Sequence, residues 1–77
     1  MNRPLDTIAR EIVADWKKPY FGAKPYLDAM RSLNSIDDAY YLDTGRSVVA
    51  YFLANASSWR GEKARAIKKE LRDILNT

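Results

Sequence analysis

The side chains of this sequence with the clearest chemistry are the basic residues of its last segment. They are Arg60, Lys63, Arg65, Lys68, Lys69 and Arg72. Guanidinium and ammonium groups bind carboxylates and phosphates through charge-assisted hydrogen bonds, so the segment points to an anionic partner. Residues 1–59 hold seven basic and seven acidic side chains, whereas residues 60–77 hold six basic and three acidic ones. The net charge of +3 therefore arises in the last segment.

Three interpretations of this basic segment stay open. A run of charge on a helix is usually a solvated face, which is the first interpretation. In the second, the segment is the recognition helix of a helix-turn-helix, with Arg60, Lys63 and Arg65 in the DNA groove and Lys68 or Lys69 on phosphate. In the third, it docks an acidic or amphipathic protein, a second copy of the chain included. Repulsion between cations three and four residues apart favours an anionic partner.

The residue types needed for catalysis and metal binding are scarce. The chain has no histidine and no cysteine, which removes the usual general base, the thiol nucleophile and the ligands that zinc prefers. Asp37, Asp38 and Asp43 carry oxygen ligands, but their spacing is not that of a calcium loop, and we expect them to solvate and cap a loop. The three glycines lie too far apart for a phosphate-binding loop. We expect no catalytic residue, no cofactor, no metal and no small-molecule substrate, hence no enzyme.

Aromatic residues allow two interpretations. Around residues 16–26 they alternate with Lys17, Lys18 and Lys24, a pattern that occurs in stacking platforms for single-stranded nucleic acid. In a chain of this size, core packing is the favoured interpretation for most of them. The aromatic candidates for contact with a partner are Trp16, Tyr20, Phe21, Tyr26 and Trp59.

The apolar spacing predicts four helices that would carry these side chains. Their expected ranges are 3–16, 22–33, 44–55 and 60–76. The first has apolar residues at intervals of three and four, and the last repeats that pattern from Ala64 to Ile74 beneath its basic residues. Expected N-caps are Asn2 for the first helix, Asp43 or Thr44 for the third, and Ser57 or Ser58 for the fourth.

The third predicted helix has almost no polar side. A strand is the competing prediction for residues 47–53, but no second strand is evident for it to pair with, which favours the helix. We expect so apolar a helix to lie at the centre, surrounded by the other three, and a dimer to cover whatever they leave exposed. Residues 34–43 lack a sustained period and are expected to form a loop, with room for one short helical turn. The fold class is therefore all-α, a compact four-helix domain over residues 1–77.

The location expected from the sequence is the cytoplasm. No apolar run approaches the length of a membrane span, and the first residues lead into a charged amphipathic segment rather than the apolar stretch of a secretion signal.

Two stretches carry a resemblance: residues 16–30 (WKKPYFGAKPYLDAM), and residues 47–56 (SVVAYFLANA) continuing to 59–62 (WRGE). They resemble small orphan proteins encoded by tailed bacteriophages and prophages of actinobacteria. The resemblance implies a small accessory or regulatory protein in bacterial cytoplasm and brings no functional residues with it. We therefore expect a non-catalytic protein that docks a protein partner through the basic helix and nearby aromatics. The alternative is a helix-turn-helix-like DNA-binding protein.

Overall fold

The computed structural model describes residues 3–40 and 43–76, and these confirm the all-α, four-helix class. Each helix lies inside its predicted range and is shorter by one to several residues at its ends. The elements are α1 (Leu5–Asp15), α2 (Lys24–Met30), β1 (Ala39–Tyr40), β2 (Asp43–Thr44), α3 (Gly45–Ala54) and α4 (Glu62–Leu75).

The helix starts agree only in part with the predicted caps. The Thr44 hydroxyl accepts a hydrogen bond from the backbone N–H of Ser47 at 3.2 Å, so its prediction as the cap of α3 is confirmed. The prediction of Ser57 or Ser58 for α4 is wrong, because the residue before that helix is Gly61, which has φ 115° and no side chain to cap with. Asn2 lies outside the described residues.

The loop between α2 and α3 is held to the start of α3 by backbone hydrogen bonds. The N–H of Gly45 donates to Asp38 O at 2.7 Å, and the N–H of Arg46 donates to Ile36 O at 2.8 Å. The loop thus satisfies donors that a helix start leaves open. Within this loop, β1 and β2 form an antiparallel pair with Ala39 opposite Thr44. Strands of two residues are too short to show an alternating pattern in the sequence.

The four helices pack as a ring, so the prediction that α3 is central is wrong. α1 packs against α2 and α4, while α3 packs against α2 and α4. Val48, Val49 and Phe52 of α3 are buried, but Ala50, Tyr51 and Ala54 are exposed. A helix in a ring has one side without a neighbour, and for α3 that side is apolar. This exposed apolar side is the unusual feature of the fold.

Candidate partner-binding surface

The basic residues of α4 lie outside its buried stripe, as predicted. Ala64, Ile67, Leu71 and Ile74 are buried, and their spacing of three and four residues forms the stripe that seals α4 against its neighbours. Lys63, Arg65, Lys69 and Arg72 are exposed, and Lys68 is half-buried. Arg60 is exposed as well, but it lies before α4 rather than in it, contrary to the predicted helix range. The cationic side chains project outward from a buried edge, so they are available to a partner.

Among the described residues, two of the six predicted cations form ion pairs with carboxylates. Lys63 Nζ lies 3.9 Å from Glu11 of α1, and Lys69 Nζ lies 3.0 Å from Asp73 one turn further along α4. Glu70 is paired on the same side, because Arg3, two residues before α1, donates hydrogen bonds to both of its carboxylate oxygens at 2.7 and 2.9 Å. The side of α4 that carries Lys63 and Glu70 therefore faces α1 and has its charges matched there.

The cations on the other side of α4 have no carboxylate partner among the described residues. We call Arg46, Arg60, Arg65, Lys68 and Arg72 together the basic face. Arg46 joins it from α3, because its Nη1 donates to the carbonyl oxygen of Leu75, at the end of α4, at 2.6 Å. Within residues 3–40 and 43–76, none of these five side chains forms an ion pair with a carboxylate.

Sequence reasoning missed Arg46 as a member of this face. Arg46 precedes the basic segment by a full helix and lies in the part of the chain where basic and acidic residues balance. Its position beside α4 follows from the way α3 and α4 pack, and no local pattern encodes it.

Lys68 shows the electrostatic character of the basic face. Partial burial and the nearby cations Arg72 and Arg60 lower the pKa of Lys68 below its ordinary value. Its ammonium donates to the backbone oxygen of Trp59 at 2.6 Å and lies 5.8 Å from the centre of the Trp59 ring. An anion bound here would relieve the repulsion among these cations, which adds to the effect of burial on this pKa.

The two tryptophans are core residues, and their prediction as partner-contacting surface residues is wrong. Trp59 is only 2% exposed and Trp16 8%. Their rings stack at 5.8 Å with an interplanar angle of 13°, and the edges of both contact Phe52. The Trp59 indole N–H donates to Asp15 at 2.8 Å. In a small domain, large aromatic rings contribute much of the buried apolar area, and both tryptophans serve that purpose here.

The remaining aromatic candidates do reach the surface, on the opposite side of α3 from the basic face. Phe21 is 78% exposed and Tyr20 46%, whereas Tyr26 is half-buried. Tyr51, which is not among the predicted candidates, is 54% exposed beside them. Tyr20 packs on Phe21 at 4.8 Å between ring centres, and Tyr26 stacks on Tyr51 at 5.4 Å. We call these four residues the aromatic edge.

Asn55 lies between the two aromatic pairs. Its side-chain amide donates to Tyr51 O at 2.9 Å. A methyl group built on Gly22 would lie 3.1 Å from Asn55 Oδ1 and 2.6 Å from a Tyr20 ring carbon. Tyr20 therefore lies next to the end of α3, and the aromatic edge continues along that helix. This continuity is what a partner would require of a single contact surface.

The acidic loop is used for local hydrogen bonding. One Asp38 carboxylate oxygen accepts the N–H groups of Asn34 and Ser35 at 2.8 and 3.1 Å. In the described part of the chain, no three or more histidine, cysteine, aspartate or glutamate side chains come together in a way that would hold a metal ion. The surface with the most distinctive chemistry is thus the one built from α3 and α4.

Comparisons of the chain with protein-family models, curated proteins and solved structures give no match. The resemblance to small phage and prophage proteins therefore stays a prediction. None of the described helices is long and apolar enough to cross a membrane.

Proposed function

We propose that this chain is a small, non-catalytic binding protein that docks a protein partner through the basic face and the neighbouring aromatic edge. The observation that carries the proposal is a group of five cations, from α3, α4 and the segment just before α4, without a carboxylate partner among the described residues. As part of the same proposal, it is an accessory or regulatory protein of phage or prophage origin that acts in bacterial cytoplasm. The resemblance carried by residues 16–30, 47–56 and 59–62 supports that part.

The separation of charge supports an anionic partner. Acidic side chains take up cations elsewhere, as in the contacts of Glu70 and Glu11 with Arg3. Cations held close together without counter-charges raise the energy of the free protein, and a partner that brings carboxylates lowers it. Such a surface also speeds the encounter with an acidic partner through long-range attraction.

The path of the chain favours a protein partner over duplex DNA. A helix-turn-helix joins its helices through a turn of about 3–4 residues at a steep angle, whereas here residues 55–61 connect α3 to α4. The contact between Arg46 and Leu75 brings the start of α3 to the end of α4, as in an antiparallel pair. The first turn of α4 also carries Glu62, whose carboxylate would enter the negatively charged DNA groove if α4 were a recognition helix. The DNA-binding alternative depends on the basic residues alone.

The proposal is tested by affinity capture with charge-reversed baits. The bait R65E/R72E reverses two cations of the basic face, and the matched control R10E/R31E reverses two exposed arginines borne by α1 and the turn after α2. From a nuclease-treated bacterial lysate, we expect a protein that is enriched by the wild-type and control baits and lost with R65E/R72E.

Two outcomes would contradict the proposal. One is a set of captured proteins that R65E/R72E and the control bait retain equally. The other is tight binding of random duplex DNA that weakens steeply with salt and disappears in R65E/R72E, which would favour the DNA-binding alternative.

A further inference from the structure

The outer side of α3 is an apolar surface that no described element covers. Ala50, Tyr51 and Ala54 are exposed there, and after Arg46 the helix carries no charged side chain. Exposed apolar surface bounded by polar residues is typical of an interaction site. Because α3 lies between α2 and α4 in the ring, its outer side separates the aromatic edge from the basic face.

The two borders of this surface differ in chemistry. On the α2 side, Tyr51 stacks on Tyr26, which provides an apolar wall. On the α4 side, half-buried Leu53 and Leu75 lie against the core. Lys68 and Arg72 precede Leu75 by seven and three residues, which places them on the same side of α4. A ligand seated on α3 would therefore meet apolar groups along its centre and one side, and cations along the other.

We propose that the occupant of this surface is an acidic amphipathic helix of a protein partner, which deepens the function proposed above and rests on it. The apolar stripe of that helix lies on Ala50, Tyr51 and Ala54. Its carboxylates lie on the side of Arg65, Lys68 and Arg72, which have no carboxylate partner among residues 3–40 and 43–76.

The dimensions of the surface suit a helix. α3 has 10 residues and is about 15 Å long, and its exposed apolar residues, Ala50, Tyr51 and Ala54, span just over one turn of it. Alanines at positions 50 and 54 let a second helix approach to about 8–10 Å between axes, the distance of ordinary helix packing. Arg65, Lys68 and Arg72 follow one another at three and four residues, which places them on one row of α4. Glutamates at the same spacing on the partner match that row.

Charge argues against a second copy as the occupant. A symmetric dimer places the same patch of both subunits against each other, so the cations of the two basic faces would approach with no acidic residue of α3 to separate them. Nucleic acid fits less well, because alanines offer no stacking platform and the phosphates would lie over an apolar centre.

The test uses a synthetic helical peptide of about 18 residues, long enough to be helical alone. It has leucines at i, i+3, i+4 and i+7 and glutamates along one flank of that stripe. A control peptide has the same composition with the leucines redistributed so that no stripe forms. Binding is measured by fluorescence anisotropy, and we expect the striped peptide to bind about tenfold or more tightly than the control peptide.

Two exposed alanines provide matched protein variants. Ala50→Glu places a carboxylate in the proposed seat, whereas Ala66→Glu makes the same change on the outer side of α4, on the row of Glu62 and Asp73. Both sites are exposed, so circular dichroism should show that both variants keep the fold. We expect Ala50→Glu to weaken binding of the striped peptide about tenfold or more and Ala66→Glu to weaken it about twofold or less.

The outcomes separate this inference from the proposed function. If both peptides bind equally and R65E/R72E weakens both, the basic face recognises acidic protein without a helix seat, so the inference fails and the proposed function stands. If Ala50→Glu weakens binding while R65E/R72E does not, the basic face is not used and the proposed function fails. The inference is also overturned if the striped peptide does not bind, or if oligothymidylate or anionic vesicles displace it more effectively than excess striped peptide does.

Discussion

Replacement of Trp59 by alanine would test the assignment of this residue to the core. The ring is buried, stacks on Trp16 at 5.8 Å and donates to Asp15 at 2.8 Å. Removal of a buried Trp side chain costs about 3–5 kcal/mol. The lost hydrogen bond adds at most about 1 kcal/mol, because exposed Asp15 regains water. We expect Trp59→Ala to lower the free energy of unfolding by about 4–5 kcal/mol, a large part of the roughly 4–12 kcal/mol expected for a domain of 77 residues.

The assay is urea denaturation followed by far-ultraviolet circular dichroism. Trp59→Phe keeps an apolar ring and loses the hydrogen bond, so it should cost about 1–2 kcal/mol. Phe21→Ala removes an exposed ring of the aromatic edge and should change stability by no more than about 0.5 kcal/mol. The core assignment would be refuted by a Trp59→Ala protein as stable as the wild type. It would also be refuted if Phe21→Ala proved as damaging as Trp59→Ala.

Three further predictions concern the elements that hold this scaffold together. Gly45→Ala should lower stability by about 2–3 kcal/mol in thermal unfolding, because the added Cβ would overlap the backbone oxygen of Ser35 and lie 2.8 Å from Ile36 Cα; an unchanged midpoint would contradict this close contact. Thr44→Ala should cost about 1 kcal/mol through loss of the α3 cap, whereas Thr44→Ser should retain most of it. The hydrogen bond from Arg3 lowers the pKa of Glu11, so its stabilisation is present above the ordinary carboxyl pKa of about 4.3 and is lost as pH falls through the lowered value. The wild-type free energy of unfolding should therefore fall between about pH 6 and pH 3. Because the Glu11 side chain is 36% exposed, we expect Glu11→Gln to make that fall smaller by only about 0.5–1 kcal/mol. The same pH profile in the variant and the wild type would count against the Arg3–Glu11 pair.

The helices were predictable because their apolar spacing is local information. The buried stripe of α4 from Ala64 to Ile74 and the buried positions of α1 follow the intervals of three and four that the sequence displays. The outward placement of the basic residues followed from the same spacing. The strand pair and the α4 cap were not predictable, since two residues make no alternation and Gly61 caps through its backbone rather than a side chain.

The candidate surface depended on information that no local pattern contains. The spacing of apolar residues shows which side of a helix is apolar, but it does not show whether another helix covers that side. For this reason the sequence predicts a central, covered α3, whereas one side of α3 is exposed. In the same way, composition could not separate Trp59, which is buried, from Phe21, which is exposed, because both are large rings near basic residues.

The sequence by itself therefore determined the helices, their buried sides and the excess of positive charge near the carboxyl end. Only the tertiary structure decided which cations are neutralised, since Lys63 meets Glu11 across α1 and α4 whereas Arg65 meets no carboxylate within the described residues. It also decided that Arg46 joins the basic face. The physical reason is that helix formation depends on neighbours along the chain, while charge pairing and exposure depend on which distant elements pack together.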